Sequence, residues 1–198
     1  MKLKSKALLF DMDGVLIDSL DTWWQAVNSA FKITYNREIT RQEFIEKYWG
    51  HDLRDILEKE KLNPEVAEVC NFYYPKFIDL TLIYPDTIST LKKLNKFKKA
   101  LITNTPRICT KQVLKKYDLE EYFDTILTCN DVPRAKPHPE IVFKACKNLN
   151  INPKEAILIG DTKSDIIAGK AAGCTIIGFN IKADYTISKI SELLNILE

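Results

Sequence analysis

Asp11 and Asp13 stand two residues apart in Asp11-Met12-Asp13-Gly14, directly after the unbroken apolar run Ala7 to Phe10. Further along, Thr103 and Asn104 follow the run Ala100 to Ile102, Asp161 follows Ala156 to Gly160, and Asp165 comes four residues later. Lys136 precedes Pro137-His138-Pro139-Glu140. One hydroxyl, one lysine and four carboxylates make a set suited to phosphoryl transfer. Asp11 is the candidate nucleophile, because a carboxylate attacking phosphorus gives an aspartyl phosphate that water can hydrolyse. Asp13, on the same turn, can protonate the leaving oxygen and later deprotonate the attacking water. Thr103 and the backbone amides near Asn104 can hold phosphate oxygens, and Lys136 supplies positive charge for the transferring group.

Carboxylates and a phosphate dianion repel one another, by roughly 4 kcal/mol for two unit charges about 4 Å apart at an effective dielectric of 20. A divalent cation is required, and Mg2+ fits a set made of oxygen ligands. Asp11 and Asp161 are the expected direct ligands. Asp13 can contribute its backbone carbonyl, and Asp165 is either a further ligand or an outer partner. With two histidines and no C-x-x-C in the chain, zinc has no ligand cluster.

Residues this far apart converge only if the chain places them on one edge of a sheet. Ala7 to Phe10 has the pattern of a strand buried on both faces. From Pro85 onward, helical spacing alternates with short apolar runs at 100–102, 126–127, 156–159 and 175–179. That alternation predicts an α/β, Rossmann-like parallel sheet with helices on both faces. Ligands of such sheets bind beyond the carboxyl ends of the strands, where all the residues named above fall. Between Ile17 and Tyr84 the pattern is helical without a convincing strand. Asp18 or Ser19 can cap the first of these helices, and Pro75 should kink or end the last. Residues 1–16 and 85–198 are thus expected to form the core, and 17–84 an inserted all-helical unit. Ser188 is the expected start of a closing helix.

The four segments together resemble the motifs of the haloacid dehalogenase superfamily. Asp11-Met12-Asp13-Gly14-Val15 is similar to the first, Leu101-Ile102-Thr103-Asn104 to the second, Lys136-Pro137-His138-Pro139 to the third and Gly160-Asp161-Thr162-Lys163-Ser164-Asp165 to the fourth. The helical insertion resembles the small cap of the phosphoglycolate phosphatase-like branch. The resemblance implies magnesium, an aspartyl-phosphate intermediate on Asp11, and a cap that closes over a small phosphorylated metabolite. Dehalogenases lack a carboxylate at the place of Asp13. Mutases of the beta-phosphoglucomutase type tend to carry a histidine where this chain has Trp23, and an acidic residue where it has Gly160. Hydrolysis is therefore expected, with a sugar-phosphate mutase as the alternative. A non-catalytic phospho-ligand-binding member is a further alternative, opposed by the presence of both Asp11 and Asp13.

Selectivity has to come from the insertion, since the core groups recognise only phosphate and metal. The turn Gly50-His51-Asp52-Leu53-Arg54 is the expected specificity loop, with His51 or Arg54 pairing with a carboxylate on a phosphoglycolate-like substrate. Trp24 and Trp49 are expected to pack the inserted helices together.

The formal charge of +2 over 198 residues suggests no nucleic-acid or membrane partner. The lysines at 92, 93, 96, 98 and 99 read as solvated helix faces. Five cysteines, odd in number and far apart, give no disulfide framework and suit reduced, buried side chains. The run Ala7 to Phe10 is too short for a signal peptide, and none approaches a membrane span of about 20 residues. A cytoplasmic monomer or homodimer is expected.

Overall fold

Ala7–Phe10 forms strand β1, with every side chain buried; a run lacking any polar residue has no face to offer water. A computed structural model describes residues 2–198. After β1 comes the two-residue strand β2 (Ile17–Asp18). Four helices follow: α1 (Leu20–Tyr35), α2 (Arg41–Lys47), α3 (Leu53–Lys59) and α4 (Glu65–Tyr73). Pro75 cannot continue α4, and Tyr74–Leu80 tightens into a 3-10 segment. Strand β3 (Leu82–Ile83) then returns antiparallel to β2, placing Ile17 opposite Ile83. This ladder corrects the reading that no strand lies between Ile17 and Tyr84. Two residues are too few to display an alternation.

The alternating part contains α5 (Thr87–Lys93), β4 (Lys98–Thr103), α6 (Arg107–Tyr117), β5 (Thr125–Thr128) and α7 (Glu140–Leu149). It continues with β6 (Ala156–Gly160), α8 (Lys163–Ala172) and β7 (Thr175–Phe179). Here the end of the chain departs from expectation. Strand β8 (Tyr185–Ile187) comes before Ser188, and a 3-10 turn separates it from the four-residue helix α9 (Leu193–Ile196). Tyr185, Thr186 and Ile187 are good strand formers, but three residues at a sheet edge show no period. The lysine reading is also corrected at two positions. Lys98 and Lys99 begin β4, and Lys99 is buried, its Nζ donating to the carbonyls of Leu94 (3.1 Å) and Phe97 (3.2 Å).

The six strands lie in the order β5-β4-β1-β6-β7-β8, all parallel. Parallel neighbours need crossover connections, so the helices cover the faces. Side chains alternate accordingly. Leu8 and Phe10 join the cluster shared with Phe31, Phe44 and Leu57 of the inserted helices, whereas Ala7 and Leu9 pack beneath Ile141 and Val142 of α7. The inserted helices contribute no strand to this sheet. Within them α1 packs on α4, and Trp24 Nε1 donates to the Ile39 carbonyl at 2.8 Å. All five cysteines are buried and unpaired. No described helix is long and apolar enough to cross a membrane.

Candidate active site

Strand order runs outward from β1 in both directions, so a crevice opens where the crossovers diverge, at the carboxyl end of β1. Asp11 is the first residue past that end. Its backbone N–H still extends the ladder, donating to the Ile159 carbonyl at 2.9 Å. Its Oδ1 accepts from the Met12 N–H at 2.8 Å and from Lys136 Nζ at 2.9 Å. Among the described residues Oδ2 has no donor.

Lys136 is 2% exposed. Its ammonium reaches Asp11, Asp165 Oδ1 at 2.7 Å and the Ile102 carbonyl at 3.0 Å. All three of its protons are thereby placed. Burial would lower the affinity of this amine for its proton, but Asp11 and Asp165 outweigh burial and raise it. Asn104 holds the loop that delivers it. The amide donates to the Lys136 carbonyl at 2.8 Å and accepts from the Lys136 N–H at 3.0 Å.

Asp165 is fully buried at the third position of α8. Its Oδ2 accepts from the N–H (3.1 Å) and hydroxyl (2.6 Å) of Thr162, whose own oxygen accepts from the Asp165 N–H. This reciprocal cap fixes both the helix start and the carboxylate.

Asp161 Oδ1 is buried and lacks a hydrogen-bond partner. One oxygen each of Asp11, Asp161 and Asp165 lies within 4.8 Å of the others. Burial, then Asp11 and Asp165, push the Asp161 carboxyl up to about 9. Burial, with help from Asp165 and against Lys136, pushes Asp11 up to about 7. Gly14, at φ 75°, sits against Asp161 so closely that a Cβ there would overlap its carboxylate. The orphaned oxygen and an all-carboxylate donor set fit a hard divalent cation.

Asp13 is turned to a different set of neighbours. The Ser19 hydroxyl and Trp23 Nε1 (3.3 Å) donate to its Oδ1. Its Oδ2 accepts from the hydroxyls of Thr105 (2.7 Å) and Thr103 (3.3 Å). Hydroxyls can turn to accept as well as donate, so this cage accommodates Asp13 with or without a proton. Ser19 does occupy the position before α1, but its hydroxyl serves Asp13; the capping contact comes from Asp18 Oδ1 to the Leu20 N–H at 3.3 Å.

A cavity of about 110 Å³ is bounded by Asp11, Asp13, Thr103, Asn104 and Lys136 on the sheet side. The inserted helices close it with Trp23, Trp49, Gly50, His51 and Arg54 among others. Arg54 is already paired. Its guanidinium grips both oxygens of the buried Asp52 (2.6–3.2 Å), and its Nη2 donates to the Cys129 carbonyl at 3.0 Å. The Asp52 hydrogen bonds raise its pKa, against the effect of burial. His51 lines the cavity and is exposed to solvent.

The haloacid dehalogenase-like hydrolase profile matches residues 8–179, which include every residue of this site. The chain belongs to the haloacid dehalogenase-like hydrolases. The phosphoglycolate phosphatase of Haemophilus influenzae is 28% identical, spanning 94% of this chain and 91% of that protein. Pyrophosphatase PpaX of Anoxybacillus flavithermus is 31% identical over 96% of this chain and 95% of its own length. CbbY of Rhodobacter sphaeroides, solved with phosphate, has the same fold, with a TM-score of 0.83 at 19% identity across 96% of each chain. This haloacid dehalogenase-like hydrolase therefore sits in the phosphatase branch that the phosphoglycolate phosphatases represent.

Sequence reasoning missed Ser19, Thr105 and Thr162 as parts of the site, and gave Trp23 no partner. Thr162 was legible in principle, because Thr162-Lys163-Ser164-Asp165 has capping-box spacing. Nothing local signals that Ser19, Trp23 and Thr105 meet at one carboxylate.

Proposed function

We propose that this hydrolase is a magnesium-dependent phosphatase of small phosphorylated metabolites, acting through an aspartyl phosphate on Asp11. The observation that carries the reading is Asp11 itself. One of its oxygens is fixed by Met12 and Lys136, the other has no donor among the described residues, and Asp11 borders the cavity. Attack by that oxygen forms the new P–O bond as the ester P–O bond breaks, and Asp13 gives its proton to the departing alkoxide. Asp13 then takes a proton from water as the water oxygen attacks phosphorus, releasing phosphate and restoring the Asp11 carboxylate. Lys136 supports the charge on the transferring group and holds Asp11 in line. Thr103, Thr105 and Asn104 border the phosphate end, with Thr103 and Thr105 also positioning Asp13.

Asp11, Asp161 and the Asp13 carbonyl would hold Mg2+, with Asp165 set behind them by Lys136 and Thr162. When bound, the ion neutralises the carboxylates and polarises the phosphate oxygens. The helical insertion acts as a cap that excludes water from the reacting group.

Trp23 favours hydrolysis over return of the phosphoryl group to a sugar. An indole N–H is a donor only and cannot pass a proton as imidazole can. Steady release of inorganic phosphate in Mg2+ tests the reading, with phosphoglycolate, pyrophosphate and an aryl phosphate as first substrates. Asp11→Asn should abolish release while leaving the circular dichroism spectrum unchanged. A folded Asp11→Asn protein that turns over at a substantial rate would sink the aspartyl-phosphate mechanism, and conversion of glucose 1-phosphate to the 6-phosphate would favour the mutase.

A further inference from the structure

The cavity has two chemically distinct ends. The sheet side supplies Asp11, Asp13, Asn104, Thr103 and Lys136, all polar. Beside the polar Asn71 of α4, the inserted helices answer with six larger apolar side chains, Trp23 and Val27 of α1, Phe44 of α2, Tyr48 and Trp49 just beyond it, and Leu53 of α3. Four of those six are aromatic. Phe44 and Tyr48 are buried and stacked on each other behind the wall, so Trp23 and Trp49, both partly exposed, present the flat, apolar surface to whatever extends from the phosphate.

The charge at this end is already spoken for. Arg54 is the one cation of fixed charge that the insertion brings to the cavity, and it is held by Asp52 and the Cys129 carbonyl. Turning it toward a substrate carboxylate would strip Asp52, 3% exposed, of its guanidinium contacts and leave it the Arg54 N–H alone, which is an unfavourable exchange. His51, the other basic side chain that the insertion brings to the cavity, is exposed to solvent, where water and salt screen any charge. Among the described residues, the far end of the cavity therefore offers no free cation to a second anionic group.

We propose that the preferred substrate is a phosphate monoester of a neutral alcohol that carries a flat, apolar ring, and not an ester bearing a carboxylate or a second phosphate. Resting on the phosphatase reading above, this assigns the leaving-group class that the reading leaves open. The phosphate lies at the polar end, and the ring packs against Trp23 and Trp49. A carboxylate in the ring's place would lose its water to an aromatic wall and gain no counter-charge.

Benzyl phosphate, 2-phosphoglycolate and ethyl phosphate decide it, since all three release primary alcohols and differ at the far end. With the intact protein in Mg2+, kcat/KM for benzyl phosphate should exceed that for phosphoglycolate by ~10-fold or more, with ethyl phosphate between them. Trp49→Ala should shrink the benzyl-to-phosphoglycolate ratio several-fold, and Trp49→Leu serves if the alanine variant does not fold. Equal or greater kcat/KM for phosphoglycolate overturns the ring assignment and leaves the phosphatase standing. Release of phosphate from none of the three overturns the phosphatase reading instead. In that event calorimetric titration of the same esters decides the assignment, with tighter binding of benzyl phosphate supporting it and tighter binding of phosphoglycolate overturning it.

Discussion

Lys136 is the residue on which the site's electrostatics turn, because among the described residues it alone places a positive charge between Asp11 and Asp165. Removing one member of a buried ion pair costs about 3–5 kcal/mol, since the remaining charge is left without compensation. Lys136→Met should therefore lower the urea midpoint markedly in chelator, and added Mg2+ should recover part of the loss. A midpoint unchanged in chelator would mean that Lys136 compensates no buried negative charge there. The carboxylates set a second expectation. Asp11 and Asp161 are pushed up to about 7 and about 9 from an ordinary 3.8. Without metal the folded chain keeps protons there that the unfolded chain has shed, so this part of its stability is present below about pH 4 and is lost as pH rises through 7 and 9. A bound cation needs those oxygens ionised and releases the protons. The rise in melting temperature on adding Mg2+ should thus grow from pH 6 to pH 9. An equal rise at both would show the carboxylates ionised in the metal-free protein. Asp13 belongs to acid–base work, and Asp13→Asn should slow turnover by ~10²–10⁴-fold.

At the scale of elements, the start of α8 does two jobs at once. Thr162 closes the helix cap and, through the same contacts, orients Asp165 against Lys136. Loss of such a cap costs about 1 kcal/mol, and loss of an outer-shell support weakens a metal by ~10–100-fold. Thr162→Ala should show both effects, in a urea titration and in the Mg2+ dependence of kcat, while Thr162→Ser shows neither. A stability loss with unchanged Mg2+ dependence would separate the cap from the site. Elements of this kind were legible where their signals are local. The runs before Asp11, Thr103 and Asp161 marked β1, β4 and β6 because strands buried on both faces need unbroken apolar sequence. β2, β3 and β8 were not, since each has two or three residues and pairing decides them. The same division holds in the site. Asp11, Asp161 and Lys136 follow from strand ends and motif spacing, whereas the cage around Asp13 joins residues 19, 23, 103 and 105, and only the fold brings them together.

Across the whole molecule, the inserted helices and the sheet meet where Gly50, at φ 77°, rests on Thr162. A Cβ at Gly50 would lie 2.6 Å from Thr162 Cγ2, closer than any ordinary contact, and its φ disfavours a side chain as well. Gly50→Ala should push the turn off the site and lower kcat/KM by ~10-fold, with the secondary structure retained by circular dichroism. Unaltered kinetics would mean that catalysis does not require this contact. The placement of β1 has a consequence of another kind, in time. It is the innermost strand of the sheet, yet its two neighbours, β4 and β6, are encoded far downstream, Leu8 pairing beside Lys99 and Ile157. At translation rates of ~5–20 residues per second, β1 emerges from the ribosome several seconds before β4 and longer before β6. Meanwhile α1 and α4 pack on each other within one contiguous stretch, while the cluster they share with Leu8 and Phe10 waits for the rest of the sheet. The nascent chain would carry an organised helical bundle behind a bare, sticky strand, and a chaperone that samples short apolar segments should find Ala7–Phe10 during that interval.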